Sequence, residues 1–272
     1  MHGRGANDDL MSKLVDRLSI SKDIRKNFTS FYVFGDNSIV KKDLVGRNNL
    51  AYAVGSPAVF HGRNGRGEKF SGSSYLVNRS ITPTVTGFPF FIYVDVQDTG
   101  DASLDGEPIS LSPWVSDYTR QIQIFMEGSS TNKVGGILTD LTAPSYPNKS
   151  KAIPSRIYTA ALVARSYSNF TLFVNGEKLT PFQTLATGFT TKNSFVVGRT
   201  SNGGGSFRGA VFSAGWGVID PGDDFLRRLT VNPTSIIFQK RFYPSKASVV
   251  LGSVKSRKTF SELGTKIGSR GV

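Results

Sequence analysis

Residues 169–179 read NFTLFVNGEKL, residues 194–219 read SFVVGRTSNGGGSFRGAVFSAGWGVI, and residues 220–244 read DPGDDFLRRLTVNPTSIIFQKRFYP. In order they spell a strand, a tight turn, a returning arm, a strand ending in Gly-Arg, a glycine loop, a further strand and a short helix. Asn175-Gly176 suits the positive φ values of a type I′ turn, so the arm alternating Phe170, Leu172 and Val174 can fold back onto Lys178-Leu179. In Phe207–Val218 the large residues Val211, Phe212 and Trp216 fall among glycines and alanines, as in a strand with close neighbours, and Trp216 is assigned to the core. Asp220 and Pro221 are expected as N-cap and N1 of the helix. Asp223 and Asp224 then fall in its first turn and Arg227 and Arg228 near its end, as the helix dipole favours, and Asn232-Pro233 stops it.

At these residues the chain resembles the concanavalin A-like (LamG-like) jelly-roll family, in the version carried by bacteriophage virions. The likeness lies in the Val-Asn-Gly hairpin, the Gly-Arg strand end, the Phe-x-Gly strand, and a helix ending in Leu229 and Asn232-Pro233 before Phe238, Lys240 and Arg241. Asp43-Leu-Val-Gly46 and GRGEKFSGSSYLV from Gly65 resemble the family's opening. The resemblance implies an all-β concanavalin A-like jelly-roll sandwich over residues 43–245. A short N-terminal helical or extended attachment segment (1–42) precedes it, and an extended basic arm (246–272) follows.

Composition agrees with this reading. Glycine and phenylalanine spread over many short apolar runs favour strands and tight turns, and the absence of cysteine excludes disulfides and thiolate chemistry. Strands are expected at 31–34, 58–60, 75–78, 88–96, 121–127, 136–141, 157–164, 170–175, 195–199 and 207–218, with turn residues between them and no internal repeat. The most apolar segment, Phe88–Val96, is strand-sized, so no membrane partner is expected. MHGRGANDDLMSKL lacks the basic lead and apolar run of a signal peptide. A lectin-like sandwich without an export signal fits a virion protein made in the host cytoplasm.

Asn7 or Asp8 can cap a helix in which Leu10, Leu14 and Leu18 recur four apart beside Met11 and Val15, an apolar stripe that packs on the sandwich or on a neighbouring subunit. The arm from Lys246 is Ser/Gly-rich and basic, with Lys255, Arg257 and Lys258 its densest charge. These residues and the leucine stripe are the assembly candidates. The net charge of +13, from 33 Lys and Arg against 20 Asp and Glu, attracts acidic surfaces. Without a helix-turn-helix, zinc or RNP pattern, nucleic acid ranks below other virion proteins, a homo-oligomer or host polysaccharide as a partner. Arg63, Arg66 and Lys69 read as solvated turn charges.

Catalytic signals are thin. The only histidines are His2 and His61, so a Ser-His-Asp or metal triad would rest on His61, which reads as a polar residue beside a strand end. Gly203-Gly204-Gly205 lacks the Lys-Ser/Thr that completes a P-loop. The β-glucanase members of the family use a Glu-x-Asp-x-(x)-Glu strand to set two carboxylates on one face, and the nearest stretch, Phe91–Asp98, does not match it. No enzyme activity and no cofactor are therefore expected. Asp98, Asp101, Asp105 and Glu107 offer oxygens that suit calcium, against the reading of an ordinary polar turn. Trp114, Tyr118 and Tyr146 are the glycan-binding candidates, since sugars need an aromatic plane beside polar groups. The leading expectation is a capsid decoration or accessory subunit of a virion. A receptor-binding fibre module for host polysaccharide is the alternative, and a polysaccharide-cleaving enzyme ranks third.

Overall fold

A computed structural model describes residues 20–56, 58–62, 65–99, 106–113, 121–126, 132–138, 148–166, 168–179, 189–199 and 206–238. The chain separates into two units, Met1–Gln239 and Lys240–Val272, and the described residues all belong to the first. Their strands form two antiparallel sheets of eight. The back sheet runs in the order β14 (Glu177–Lys178), β13 (Asn169–Val174), β12 (Ile157–Ser166), β7 (Phe90–Asp98), β16 (Arg208–Gly217), β5 (Gly65–Ser71) and β4 (Val59–Gly62). Its eighth strand, β1 (Ser30–Val33), shares with β5 the edge of β16 that faces away from β7. The front sheet runs β11 (Asn148–Ala152), β10 (Lys133–Leu138), β9 (Ile122–Met126), β8 (Gly106–Ser112), β15 (Ser194–Val197), β6 (Tyr75–Asn78), β3 (Leu50–Val54) and β2 (Val40–Lys41).

Side-chain alternation on β7 explains the layering. Phe90, Ile92, Val94 and Val96 point into the core between the sheets, whereas Phe91 and Tyr93 enter a second cluster on the other side of the back sheet. A strand buried on both faces reads as an unbroken apolar run, which is what Phe90–Val94 is. Trp216, expected in the core, is wholly buried between the sheets. The Asn-Gly turn also forms as expected: Asn175 and Gly176 take φ of 50° and 84°, and Val174 pairs with Glu177.

The second cluster is roofed by helices. Ile24 of α1 (Lys22–Asn27), Phe225, Leu226 and Leu229 of α2 (Asp223–Val231) and Ile237 of α3 (Pro233–Ile237) pack on Phe31, Phe91, Tyr93, Ala161, Val163 and Phe173. The expected cap of α2 is corrected here: its N-cap is Gly222 at φ 80°, with no side-chain cap. Asp220 is occupied elsewhere, accepting two bonds from the Arg165 guanidinium at 2.7 and 3.1 Å. Asn232 ends α2 and caps α3 by accepting from the Ser235 amide at 3.3 Å.

Arg165 also donates to Asp223 at 2.6 Å, and Lys178 donates to the other oxygen of that carboxylate, so two strands of the back sheet grip the start of α2. The Arg165 hydrogen bond holds the Asp220 carboxyl below its ordinary value. Burial would raise that of Asp223, but the hydrogen bonds from Lys178 and Arg165, with their charges, outweigh it and hold it below its ordinary value as well. Lowered carboxyl pKa values add stability that is complete above the unfolded value near 4 and is lost as pH falls through the folded values. Urea melts should therefore show stability falling below about pH 4, and Arg165→Gln should remove part of that fall along with about 0.5–1 kcal/mol at neutral pH. An unchanged acid limb in Arg165→Gln would show that the grip contributes nothing.

The sandwich begins before residue 43. β1 lies within the segment placed at the sequence level in the N-terminal attachment, and it pairs with β16 from Ser30↔Trp216 to Val33↔Ser213. The Asp43–Gly46 motif fastens it. Asp43 Oδ1 accepts from the amides of Phe31, Val45 and Gly46 at 3.0–3.1 Å, and Oδ2 accepts from the Asn48 amide at 3.0 Å. Asn48 in turn donates to Ser30 Oγ at 2.7 Å and to the Thr82 carbonyl at 2.8 Å.

Candidate functional site

On the front sheet Ile109, Leu111, Ile122, Ile124, Phe195 and Val197 point into the core. The residues alternating with them lie on the other face of the sheet: polar Ser110, Ser112, Gln121, Gln123 and Ser194, and apolar Phe125 and Val196. Register aligns Gln123 of β9 with Ser110 of β8, Ser110 with Val196 of β15, Val196 with Val77 of β6, and Val77 with Ala51 of β3. One rung further along, Ser112 pairs with Ser194. The outer face is therefore a strip crossing five strands, polar over β9 and β8, mixed over β15, where Ser194 and Val196 both face it, and apolar over β6 and β3.

The polar half is closely packed. Ser110, Ser112 and Ser194 are wholly buried, and Gln121, Gln123 and Glu107 are nearly so. Gln123 Nε2 donates to Glu107 Oε1 at 3.0 Å, and the Ser112 and Ser194 hydroxyls lie 3.2 Å apart. Gln123 Oε1 has no hydrogen-bond partner among the described residues. Such a buried acceptor costs about 1–3 kcal/mol unless something donates to it. The apolar half opens into a depression of about 430 Å³ lined by Asn49, Ala51, Ala53, Val77, Asn78 and Arg79. Tyr75 flanks the strip, with the Arg199 guanidinium 4.1 Å from its ring centroid, and Phe125 lies across Gly135, where even a Cβ would come within 2.3 Å of the ring.

The sequence-level candidates distribute unevenly. Trp114, Tyr118, Tyr146, Asp101, Asp105, Leu10, Leu14, Leu18, Lys255, Arg257 and Lys258 lie outside the described residues, as does Gly203–Gly205. Trp114 and Tyr118 belong to the connection between β8 and β9, the two strands that carry most of the polar row. Of the calcium candidates, Asp98 sits on β7 of the back sheet and pairs with Arg156 at 3.4 Å, whereas Glu107 sits on the front sheet with Gln123. No group of three metal-ligating side chains occurs among the described residues. His61 is exposed within β4, opposite Arg66. Asp95 accepts from Thr159 Oγ1 at 3.0 Å. No helix among the described residues is long and apolar enough to cross a membrane.

The polar row itself was not identified from sequence, although its signal is present. Ile109-Ser-Leu-Ser112 and Gln121-Ile-Gln-Ile124 both alternate with period two, the mark of strands with one buried and one polar face.

No protein-family model matches the chain, and no curated protein matches it in sequence. Solved structures do match in fold. A botulinum neurotoxin type C structure, of a toxin reported to interact with two ganglioside molecules, aligns at 9% identity over 76% of this chain and 51% of that one, TM-score 0.57. The binding domain of a botulinum neurotoxin of serotype D/C aligns at 12% identity over 76% of this chain and 52% of that one, also at 0.57. A Trypanosoma rangeli sialidase in complex with sialic acid aligns at 13% identity over 79% of this chain and 34% of that one, at 0.56. The chain thus spans about half of the toxin structures and a third of the sialidase. At these identities the likeness establishes the shared all-β sandwich fold.

Proposed function

We propose that this chain is a carbohydrate-binding β-sandwich module that takes a hydroxyl-rich glycan on the outer face of its front sheet. In the virion setting suggested by the sequence it would serve as a receptor-binding module for host polysaccharide. The observation that carries this is the open depression on that face, where the side chains of Asn49, Asn78 and Arg79 surround the apolar floor of Ala51, Ala53 and Val77. Asparagine amides both donate and accept and a guanidinium donates, which is what a sugar hydroxyl requires. The fold likeness to a ganglioside-interacting toxin and a sialidase adds support. The capsid-decoration reading rests on terminal residues outside the described part, so the receptor-binding alternative is preferred.

Binding is read as occurring without cleavage, since the sequence lacks the paired-carboxylate strand of the glucanases; incubation with host capsule should release no new reducing ends. For the test, a panel of neutral and acidic host polysaccharides is titrated against the full chain, Arg79→Ala and Ala51→Arg, which fills the depression. We expect a wild-type complex that weakens about tenfold in each variant, through a lost donor in the first and a blocked depression in the second. Melting temperatures should stay close to wild type. Binding unaffected by both substitutions would place the site elsewhere, and no binding across the panel would remove the glycan reading.

A further inference from the structure

The rim of the depression on the front sheet has a one-sided hydrogen-bonding capacity. Asn49 Oδ1 accepts from the Asp43 amide at 2.9 Å, and Asn78 Oδ1 accepts from the Ser80 amide at 2.8 Å. A backbone N–H only donates, so each bond fixes which end of the side-chain amide is oxygen. The Asn49 main-chain carbonyl is engaged as well, accepting from Asn78 Nδ2 at 3.2 Å. What the rim has to spare is chiefly N–H. Asn49 Nδ2 makes no hydrogen bond among the described residues, and Asn78 Nδ2 keeps its second hydrogen. The Tyr52 hydroxyl, the other polar group of the lining, is turned to the buried Glu68 carboxylate.

Charge at the rim has the same bias. Arg79 is exposed and brings a planar fork of N–H donors, the geometry that matches a carboxylate or a sulfate. The Lys41↔Leu50 pair and the Asp43–Asn49 bond carry the chain from β2 past Asn49, which brings the exposed Lys42 to the same corner. No acid lines the depression among the described residues, and the neighbouring Asp43 carboxylate is turned to four backbone amides. The side chains of the floor, Ala51, Ala53 and Val77, carry no polar atom, so rim charges act beside a surface of low polarity, where they are felt more strongly than in open water.

We infer that the depression selects an acidic sugar, seating a carboxylate or sulfate of the glycan against Arg79, Lys42 and the Asn49 amide. The inference rests on the glycan reading above and narrows it. A neutral sugar hydroxyl needs an acceptor for its own hydrogen, whereas an anionic oxygen takes donors alone. Cations and spare N–H groups meet the second need fully and the first only in part.

The probes are trigalacturonate with its trimethyl ester, which keeps the shape and removes the charge, and a sulfated maltotriose with plain maltotriose. Each is titrated by calorimetry into the full chain, Arg79→Gln, Asn49→Asp and K69Q/R208Q, all with melting curves. The exposed Lys69 and Arg208 lie on β5 and β16 of the back sheet, so the last variant controls for net charge. Aspartate at position 49 retains an oxygen for the Asp43 amide while replacing the N–H donors with a negative charge. We expect at least one acidic probe to bind about tenfold or more tightly than its neutral counterpart, and that preference to shrink below about threefold in Arg79→Gln and Asn49→Asp but persist in the control. Raising salt from about 50 to 200 mM should weaken the acidic probe alone. The tighter of the two acidic probes identifies the anion. Acidic probes that fail to bind would overturn the inference, as would a preference that survives in Arg79→Gln and Asn49→Asp or disappears in the control. In each of these cases neutral polysaccharide binding in the panel keeps the glycan reading, and no binding across the panel removes both.

Discussion

Replacing Lys41 by Met is expected to destabilise the sandwich by about 3–5 kcal/mol, because it leaves a buried carboxylate without its counter-charge. Lys41 is the last residue of β2, at the edge of the front sheet, and Glu68 is on β5 near the edge of the back sheet, so their ion pair joins the two sheets where the core opens. Both are essentially inaccessible, with Nζ 2.7 Å from Glu68 Oε2. The remaining partners are in place. Lys41 also donates to the Asp36 carbonyl at 2.8 Å and to its carboxylate at 2.7 Å, while Glu68 Oε1 accepts from the Tyr52 hydroxyl and, at 3.2 Å, from the Ala58 amide. Burial and the adjacent Glu68 push the Tyr52 hydroxyl far above its ordinary value, so it remains a donor at any working pH.

The cost should be recoverable. In K41M/E68Q the neutral amide still accepts from Tyr52 and Ala58 while the unpaired charge is gone, so more than half of the lost stability should return. Denaturant melts of the wild type, both single variants and the double variant give the coupling energy directly. Strict additivity, or a loss below about 1 kcal/mol in K41M, would mean the pair is not the clasp described here.

The fold was legible where local chemistry decides geometry. Asn175-Gly176 specifies its turn, the glycine-spaced strand around Trp216 specifies close packing, and the apolar run Phe90–Val94 announces a strand buried on both faces. Legibility failed where tertiary contacts overrode local preference. β8 reads poorly as a strand because Pro108 and three acidic neighbours imitate a turn. In the structure Pro108 sits at a register shift between β8 and β9, where its missing N–H costs little, and its carbonyl accepts from the Gly198 amide at 2.8 Å. Losing β8 hid half of the polar row, so attention fell on aromatic residues in the connections. Asp220 was a reasonable N-cap by type and position, but only the structure reveals Arg165 across the sheet competing for it. A side chain 55 residues away leaves no trace in a local pattern.

Asp43→Ala is expected to cost about 4 kcal/mol and to lower Tm by roughly 10 °C, a large effect for one surface-loop motif. Asp43 is 5% exposed, and its two oxygens satisfy four backbone amides, from Phe31 on β1 and from Val45, Gly46 and Asn48 in its own turn. Alanine leaves all four without their acceptor, and the bonds to the Phe31 and Asn48 amides are buried where water does not readily replace them. The loss then spreads. Asn48 is positioned by this turn, and through it Ser30, Thr82 and the Tyr32 hydroxyl are tied to the same knot. Asp43→Asn separates charge from shape: one carbonyl oxygen survives, but the amide nitrogen faces an N–H, and about 2 kcal/mol should be lost. Equilibrium urea unfolding of the three proteins is the measurement. A loss below about 1 kcal/mol in Asp43→Ala would mean the turn holds its shape through its own backbone, and the Asp-Leu-Val-Gly motif would need another explanation. The predicted order, alanine worst and asparagine intermediate, would identify the motif as the fastener that brings β1 onto β16 and closes the sandwich at that edge.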